Sequence, residues 1–163
     1  PAKIDEPPRK ADRPAAEARR IADEKAAIVA VRHPGALVLA ADTVVAVGRR
    51  ILPKAETEAQ ARECLALLSG RRHKVLSAVT LIDAAGRARH RLSASTVAFC
   101  LLDEAEIERY AAGGEWQGKA GGYAIQGHAE AWVRRLDGSH SGVMGLPLFE
   151  TRALLRAAGF ALG

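Results

Sequence analysis

Little in this chain is aromatic and little carries sulfur. Phe, Trp and Tyr make up 4% of the 163 residues, too few for a surface that stacks the successive bases of a single strand. The two cysteines, Cys64 and Cys100, lack CxxC spacing. That excludes a disulfide framework and a structural zinc site as organising principles. Membrane-length apolar runs are missing too, since the run Ala36 to Ala41 is strand-sized. No HxH or HExxH pattern joins the five histidines, no GxxxxGK[ST] loop occurs, and Ser139 and Ser141 lack a nucleophile-elbow context. A zinc hydrolase, a P-loop protein and a serine hydrolase are thereby disfavoured. No basic segment followed by an apolar one suggests export, so a cytoplasmic setting is expected.

What remains is ordinary globular material, 48% hydrophobic and 26% charged, enough to order one domain over residues 1–163. Lys and Arg number 24 against 19 Asp and Glu, a net charge of +5. The basic residues are scattered, which fits solubility and leaves room for an anionic ligand. Nucleic acid and membrane are not expected as partners.

Apolar periodicity predicts a helix over 14–32, halted by His33-Pro34-Gly35. Ala36 to Ala41 reads as a buried strand, with Asp42-Thr43 at its end. Thr57 and Gln60 form a capping box ahead of a helix that Gly70 closes. His73 to Asp83 and His90 to Leu101 read as an antiparallel strand pair. Asp103 and Glu106 open a further capped helix, Glu130 to Leu136 reads as a strand, and Pro147 starts a last helix that runs to about Ala158. Helices alternating with strands, with hairpins among them, predict an α/β or α+β domain on a mixed sheet.

Asp42 leads the candidates for chemistry. A carboxylate past the end of a buried strand stands where open α/β sheets place ligands, and it can bind a divalent cation or accept a proton from water. A lone aspartate there is more often a turn or cap residue. Lys54, Lys119 and Arg71 can neutralise phosphate oxygens, although most Lys and Arg are solvated surface charges. Glycines around Lys119 strengthen its case, because they let backbone N–H groups approach an anion. The Gln126 amide sets an acceptor beside a donor, the complement of the O4 and N3–H edge of uracil or thymine. His73 reads as a structural residue on a strand, and both cysteines as packing.

Taken together, several segments are more specific than any one. They are Ala41-Asp42-Thr43-Val44-Val45, Leu68 to Val75, Lys119-Ala120-Gly121-Gly122-Tyr123-Ala124-Ile125-Gln126-Gly127, Gly138-Ser139 and Val143 to Leu148. In this order and spacing the chain resembles the Maf family of nucleoside triphosphate pyrophosphatases, from about Ile4 to the last helix. The resemblance implies an inosine-triphosphatase-like α/β fold, an elongated mixed sheet with flanking helices around a nucleotide cleft. It also implies hydrolysis of a nucleoside triphosphate to the monophosphate and pyrophosphate, with Mg²⁺, Mn²⁺ or Co²⁺. Asp42 matches the family's general base, and Glu6 an acidic residue near the metal, so both are implied as metal ligands. Lys54 and Lys119 match two family lysines. Thr43 and Gln126 match the dTTP/UTP type, whereas a sister group acting on 7-methyl-GTP has Gln after the Asp and a Ser-Glu-Gly later. Family members often pair, so a homodimer is an expected partner.

The chain also departs from the pattern. The family's opening strand and Ser-x-Ser-Pro-Arg-Arg loop would lie before Pro1. Pro53-Lys54-Ala55 replaces Gly-Lys-Pro, and Cys100 follows Phe99 where a basic residue is common. Two rival readings accompany the leading one: a regulatory module linked to arrest of septum formation, and the same chemistry on another nucleotide such as 7-methyl-GTP.

Overall fold

The computed structural model describes residues 13–162. The chain orders as α1 (Pro14–Arg32), β1 (Val38–Val47), β2 (Arg50–Leu52), α2 (Glu58–Leu68), β3 (Arg72–Ile82), β4 (Ala88–Phe99), α3 (Glu104–Gly113), a 3-10 turn (His128–Trp132), β5 (Val133–Asp137), α4 (His140–Met144) and α5 (Leu148–Ala157). The strands form one sheet in the order β2-β1-β3-β4-β5. Helices flank the sheet as expected. The expected mixture of strand directions is not seen among the described residues, where all four strand pairings are antiparallel.

Alternation along the strands sorts side chains onto two faces. Val44 and Ala78 pack against Ala18 and Ala22 of α1. Val45 and Val75 join Leu65 and Leu68 of α2 in the main core, together with Phe99 and Tyr110. Val79 and Leu81 meet Leu154 of α5. The sheet is therefore covered on both sides along β1 and most of β3, while the first half of β4 stays largely exposed.

Local chemistry fixes the helix ends. Pro14 occupies the first turn of α1, where a missing N–H costs nothing. Both expected capping boxes form, Thr57 with Gln60 and Asp103 with Glu106. Gly70, the residue after the cap of α2, takes φ +67°, a conformation open to glycine at little cost.

Two local expectations need correction. β1 does not stop before Asp42; it continues to Val47 because β3 offers a partner for Val38 through Ala46. Residues 130–132 are not strand, since the 3-10 turn carries Trp132 into the core against Phe99 and Tyr110. Beyond β5, the Ser139 hydroxyl accepts from Gly142 N at 2.9 Å and caps α4. No described helix is long and apolar enough to cross a membrane.

Candidate active site

A cleft of about 240 Å³ opens along the middle of β1. Asp42, Thr43, Lys54, Lys119 and Gln126 all line it, brought together from three stretches of chain. Arg71 is not among the lining residues. It begins β3's approach, exposed, with its backbone bonded to Leu68 and Phe99. Glu6 lies outside the described residues.

Asp42 is the buried charge of the cleft. It pairs with Ala78 in the middle of the sheet, and its side chain is 2% exposed. A carboxylate so buried needs partners, because desolvation of an unpaired charge costs several kcal/mol. Both partners bind one oxygen: Lys25 Nζ stands 2.7 Å and Lys54 Nζ 3.3 Å from Oδ1. Among the described residues, the buried Oδ2 accepts no hydrogen bond. The carboxylate thus has one oxygen that is held and one whose hydrogen-bonding capacity those residues leave unused.

Lys25 escaped the sequence reading. Its signal was there in the spacing, four residues after Ile21 and three after Ala22, on the buried stripe of α1. A lysine on that stripe calls for an anion on the facing strand. Asp42 has the same strand parity as Val44, which packs on α1, so the two meet.

Lys54 and Lys119 are placed by backbone bonding. Gly118 N donates to Ala55 O at 2.8 Å, Ala55 N to Lys119 O at 3.1 Å, and Gly121 N to Pro53 O at 3.1 Å. An isolated bridge between Lys54 and Ala120 completes the lacing. The Gly-rich loop can lie this close only because it is Gly-rich. At Gly121, with φ +69°, a Cβ would stand 2.8 Å from Val45 Cγ1.

On the other side of β1, Thr43 and Ser77 share a hydrogen bond at 2.7 Å, and Ser77 Oγ donates to Gly142 O at 2.6 Å. That chain joins β1 and β3 to α4, whose end, Met144 and Gly145, also lines the cleft. Tyr123 lines it as well, its hydroxyl 2.7 Å from His73 Nε2. Burial pushes the His73 pKa down to about 4, so the ring is neutral at physiological pH. Burial also pushes the Tyr123 hydroxyl up, and it stays protonated. His73 is thus the structural residue that its strand position suggested. Cys64 is buried in the main core, where desolvation raises its thiol to about 11, which fits packing and not nucleophilic attack.

An α/β domain whose cleft gathers one buried carboxylate, Lys54, Lys119 and a glycine-rich loop has the groups that suit an anionic ligand. The family model described as Maf-like protein matches residues 1–158, and the chain belongs to that family. It is 62% identical over 156 residues to the dTTP/UTP pyrophosphatase of Novosphingobium aromaticivorans, which covers 96% of this chain and 78% of that protein. Against the dTTP/UTP pyrophosphatase of Paramagnetospirillum magneticum the identity is 59% over 161 residues, 99% of this chain and 85% of the other. Against the dTTP/UTP pyrophosphatase of Rhodospirillum rubrum it is 58% over 163 residues, 100% and 78% respectively.

Proposed function

We propose that the chain hydrolyses dTTP and UTP to the nucleoside monophosphate and pyrophosphate. The observation that carries this reading is Asp42: a buried carboxylate in a lysine-lined cleft, with Oδ1 tied to Lys25 and Lys54 and Oδ2 without a hydrogen bond among the described residues. The names of the relatives support the substrate.

Lys54 and Lys119 bind triphosphate oxygens and offset the charge that grows on the departing pyrophosphate. Asp42 accepts a proton from the attacking water through Oδ2. The water oxygen bonds to the α-phosphorus, the bond to the bridging α–β oxygen breaks, and pyrophosphate leaves with the electron pair. The proton passes from Asp42 to solvent, so no covalent enzyme intermediate forms. Gln126 meets the O4 and N3–H edge of the base, and Thr43 lines the same cleft from the opposite face of β1.

A divalent cation belongs to this reading, and the buried Oδ2 fits one, since Mg²⁺ takes one or two carboxylates and completes its shell with water and substrate phosphates. Asp42 would hold it, with Glu6 as the second carboxylate. Once bound, the cation neutralises phosphate charge and acidifies water. Mn²⁺ or Co²⁺ in its place, a homodimer and a cytoplasmic setting complete the reading.

The test is pyrophosphate release by the full-length protein from UTP, dTTP, CTP and GTP, with and without Mg²⁺ or Mn²⁺. Metal-dependent turnover of UTP and dTTP is expected, and Asp42→Asn should lower kcat roughly 10²- to 10⁴-fold with an unchanged circular dichroism spectrum. Release of orthophosphate in place of pyrophosphate, or full activity of the folded Asp42→Asn variant, would overturn it.

A further inference from the structure

Gln126 occupies the third position of a turn, and the turn is braced from both sides by residues at the end of one helix. Gly127 N donates to Ala124 O at 3.1 Å and closes the turn. Ile125, 2% exposed, plugs its second position into the core. Before Gln126, the Tyr110 hydroxyl of α3 accepts from Ala124 N at 3.3 Å. After it, the Glu115 carboxylate takes hold of His128. Glu115 Oε2 accepts from His128 N at 3.1 Å, and Oε1 pairs with His128 Nδ1. The imidazole in turn holds the Glu115 carboxyl below the usual carboxylate range.

Glu115 is itself fixed. It follows Gly114, which ends α3 in a left-handed conformation at φ 77°, and precedes Trp116, 5% exposed. The Trp116 indole donates to Ala111 O at 2.6 Å. Gly127 is extended, with φ −109°, so backbone freedom does not explain the glycine. Space does: a Cβ there would stand 2.2 Å from Glu115 Oε2. The Glu115 carboxylate thus fills the space that a side chain at 127 would need. Gln126 is exposed where it lines the cleft and makes no side-chain hydrogen bond among the described residues, so only its backbone sets where the side chain starts from.

From this geometry we infer that Glu115 is a positioning residue for base recognition, acting through the Gly127–His128 backbone to aim Gln126. The inference rests on the reading of Gln126 as the group that meets the base. It predicts a selective defect: weaker grip on the base, with the phosphate end of the cleft untouched.

The experiment compares UTP kinetics with inhibition by inorganic tripolyphosphate, which probes the phosphate end alone, in the full-length protein. Glu115→Ala should raise KM for UTP roughly tenfold, the worth of one misplaced polar contact. It should leave kcat within about twofold and the tripolyphosphate inhibition constant unchanged. Gly127→Ala should do the same, because its methyl displaces the carboxylate while Glu115 remains. Glu115→Gln keeps an acceptor for His128 N and should restore most of the loss. Added to Gln126→Ala, the Glu115→Ala change should cost nothing further, since the two act as one unit. If Glu115→Ala weakens tripolyphosphate as much as UTP, its role is structural and the inference fails. It fails alone when Gln126→Ala raises KM and Glu115→Ala does not. If Gln126→Ala leaves KM for UTP unchanged, or the unaltered protein releases no pyrophosphate, the base-reading proposal falls and takes this inference with it.

Discussion

Replacing His73 with Gln should flatten the acid side of the stability profile. His73 is 2% exposed on β3 and lies edge-on to Phe99 and Tyr123, with ring centroids 5.0 and 5.5 Å away. Nε2 meets the Tyr123 hydroxyl, and the buried Nδ1 has no hydrogen-bond partner among the described residues. Protonation would put a charge and an orphaned N–H into this apolar shell, which is why burial lowers the pKa to about 4. In the unfolded chain the imidazole titrates near its ordinary value of about 6.5. Between the two values the unfolded state binds more protons than the native state, so stability falls as pH falls. The contribution is whole above about pH 6.5, short by about 2 kcal/mol at pH 5, and short by about 3 kcal/mol once pH reaches 4. Urea denaturation of both proteins at pH 7.5 and pH 5 measures it. Gln is neutral at both, and its amide can still meet the Tyr123 hydroxyl. A general loss of stability in the variant cancels, because only the change with pH is compared. Carboxylates such as Asp83, held down to about 2 by its hydrogen bond from Arg89, titrate lower and are common to both proteins. The unaltered protein should lose about 2 kcal/mol more than His73→Gln. Equal losses would refute the assignment of His73 as a buried neutral residue.

Other perturbations test other joints of the structure. Gly121→Ala forces a side chain into a left-handed conformation and against Val45. It should cost about 3 kcal/mol in urea denaturation and reduce turnover, because Lys119 and Ala120 rest on that loop. Lys25→Met leaves buried Asp42 with its longer contact to Lys54 and should cost about 3 kcal/mol. The double variant with Asp42→Asn should lose less than the sum of the singles, and strict additivity would argue that the pair does not interact. Asp103→Ala removes one half of the capping box on α3 and should cost about 1 kcal/mol by the same assay.

Elements with local signals were legible in the sequence. Both capping boxes, the stop after Arg32 and the glycine after α2 are properties of a few adjacent residues, and the structure contains each. Elements decided by distant partners were not. The extension of β1 through Asp42 depends on β3, some 35 residues on, and the 3-10 turn on aromatic packing around Trp132. Among site residues, Asp42, Thr43, Lys54, Lys119 and Gln126 converge on one cleft, while Arg71 stays outside it. A basic residue after a helix end has no local feature that says which way it will point. Lys25 and Glu115 were missed for a related reason. Each acts through a partner that the fold brings near, Asp42 from 17 residues away and His128 from 13.

The position of Asp42 inside a strand, and not beyond it, changes what the residue can do. A carboxylate on a loop end would move with the loop. Here the backbone is paired with Ala78 across the sheet, and two lysines hold Oδ1. Both lysines sit on one oxygen, while Oδ2 is buried and has no hydrogen bond among the described residues. That division of the two oxygens makes Asp42→Asn a clean probe. The amide can turn its carbonyl oxygen toward Lys25 and Lys54 and keep both contacts, so the fold persists. Its NH₂ then occupies the place of Oδ2, where it can neither accept a proton nor bind a cation. Loss of turnover with retained stability is therefore the expected outcome. A variant that lost both would show instead that the lysines need the full carboxylate charge, and that the pairing at Oδ1 sustains the fold as much as the chemistry.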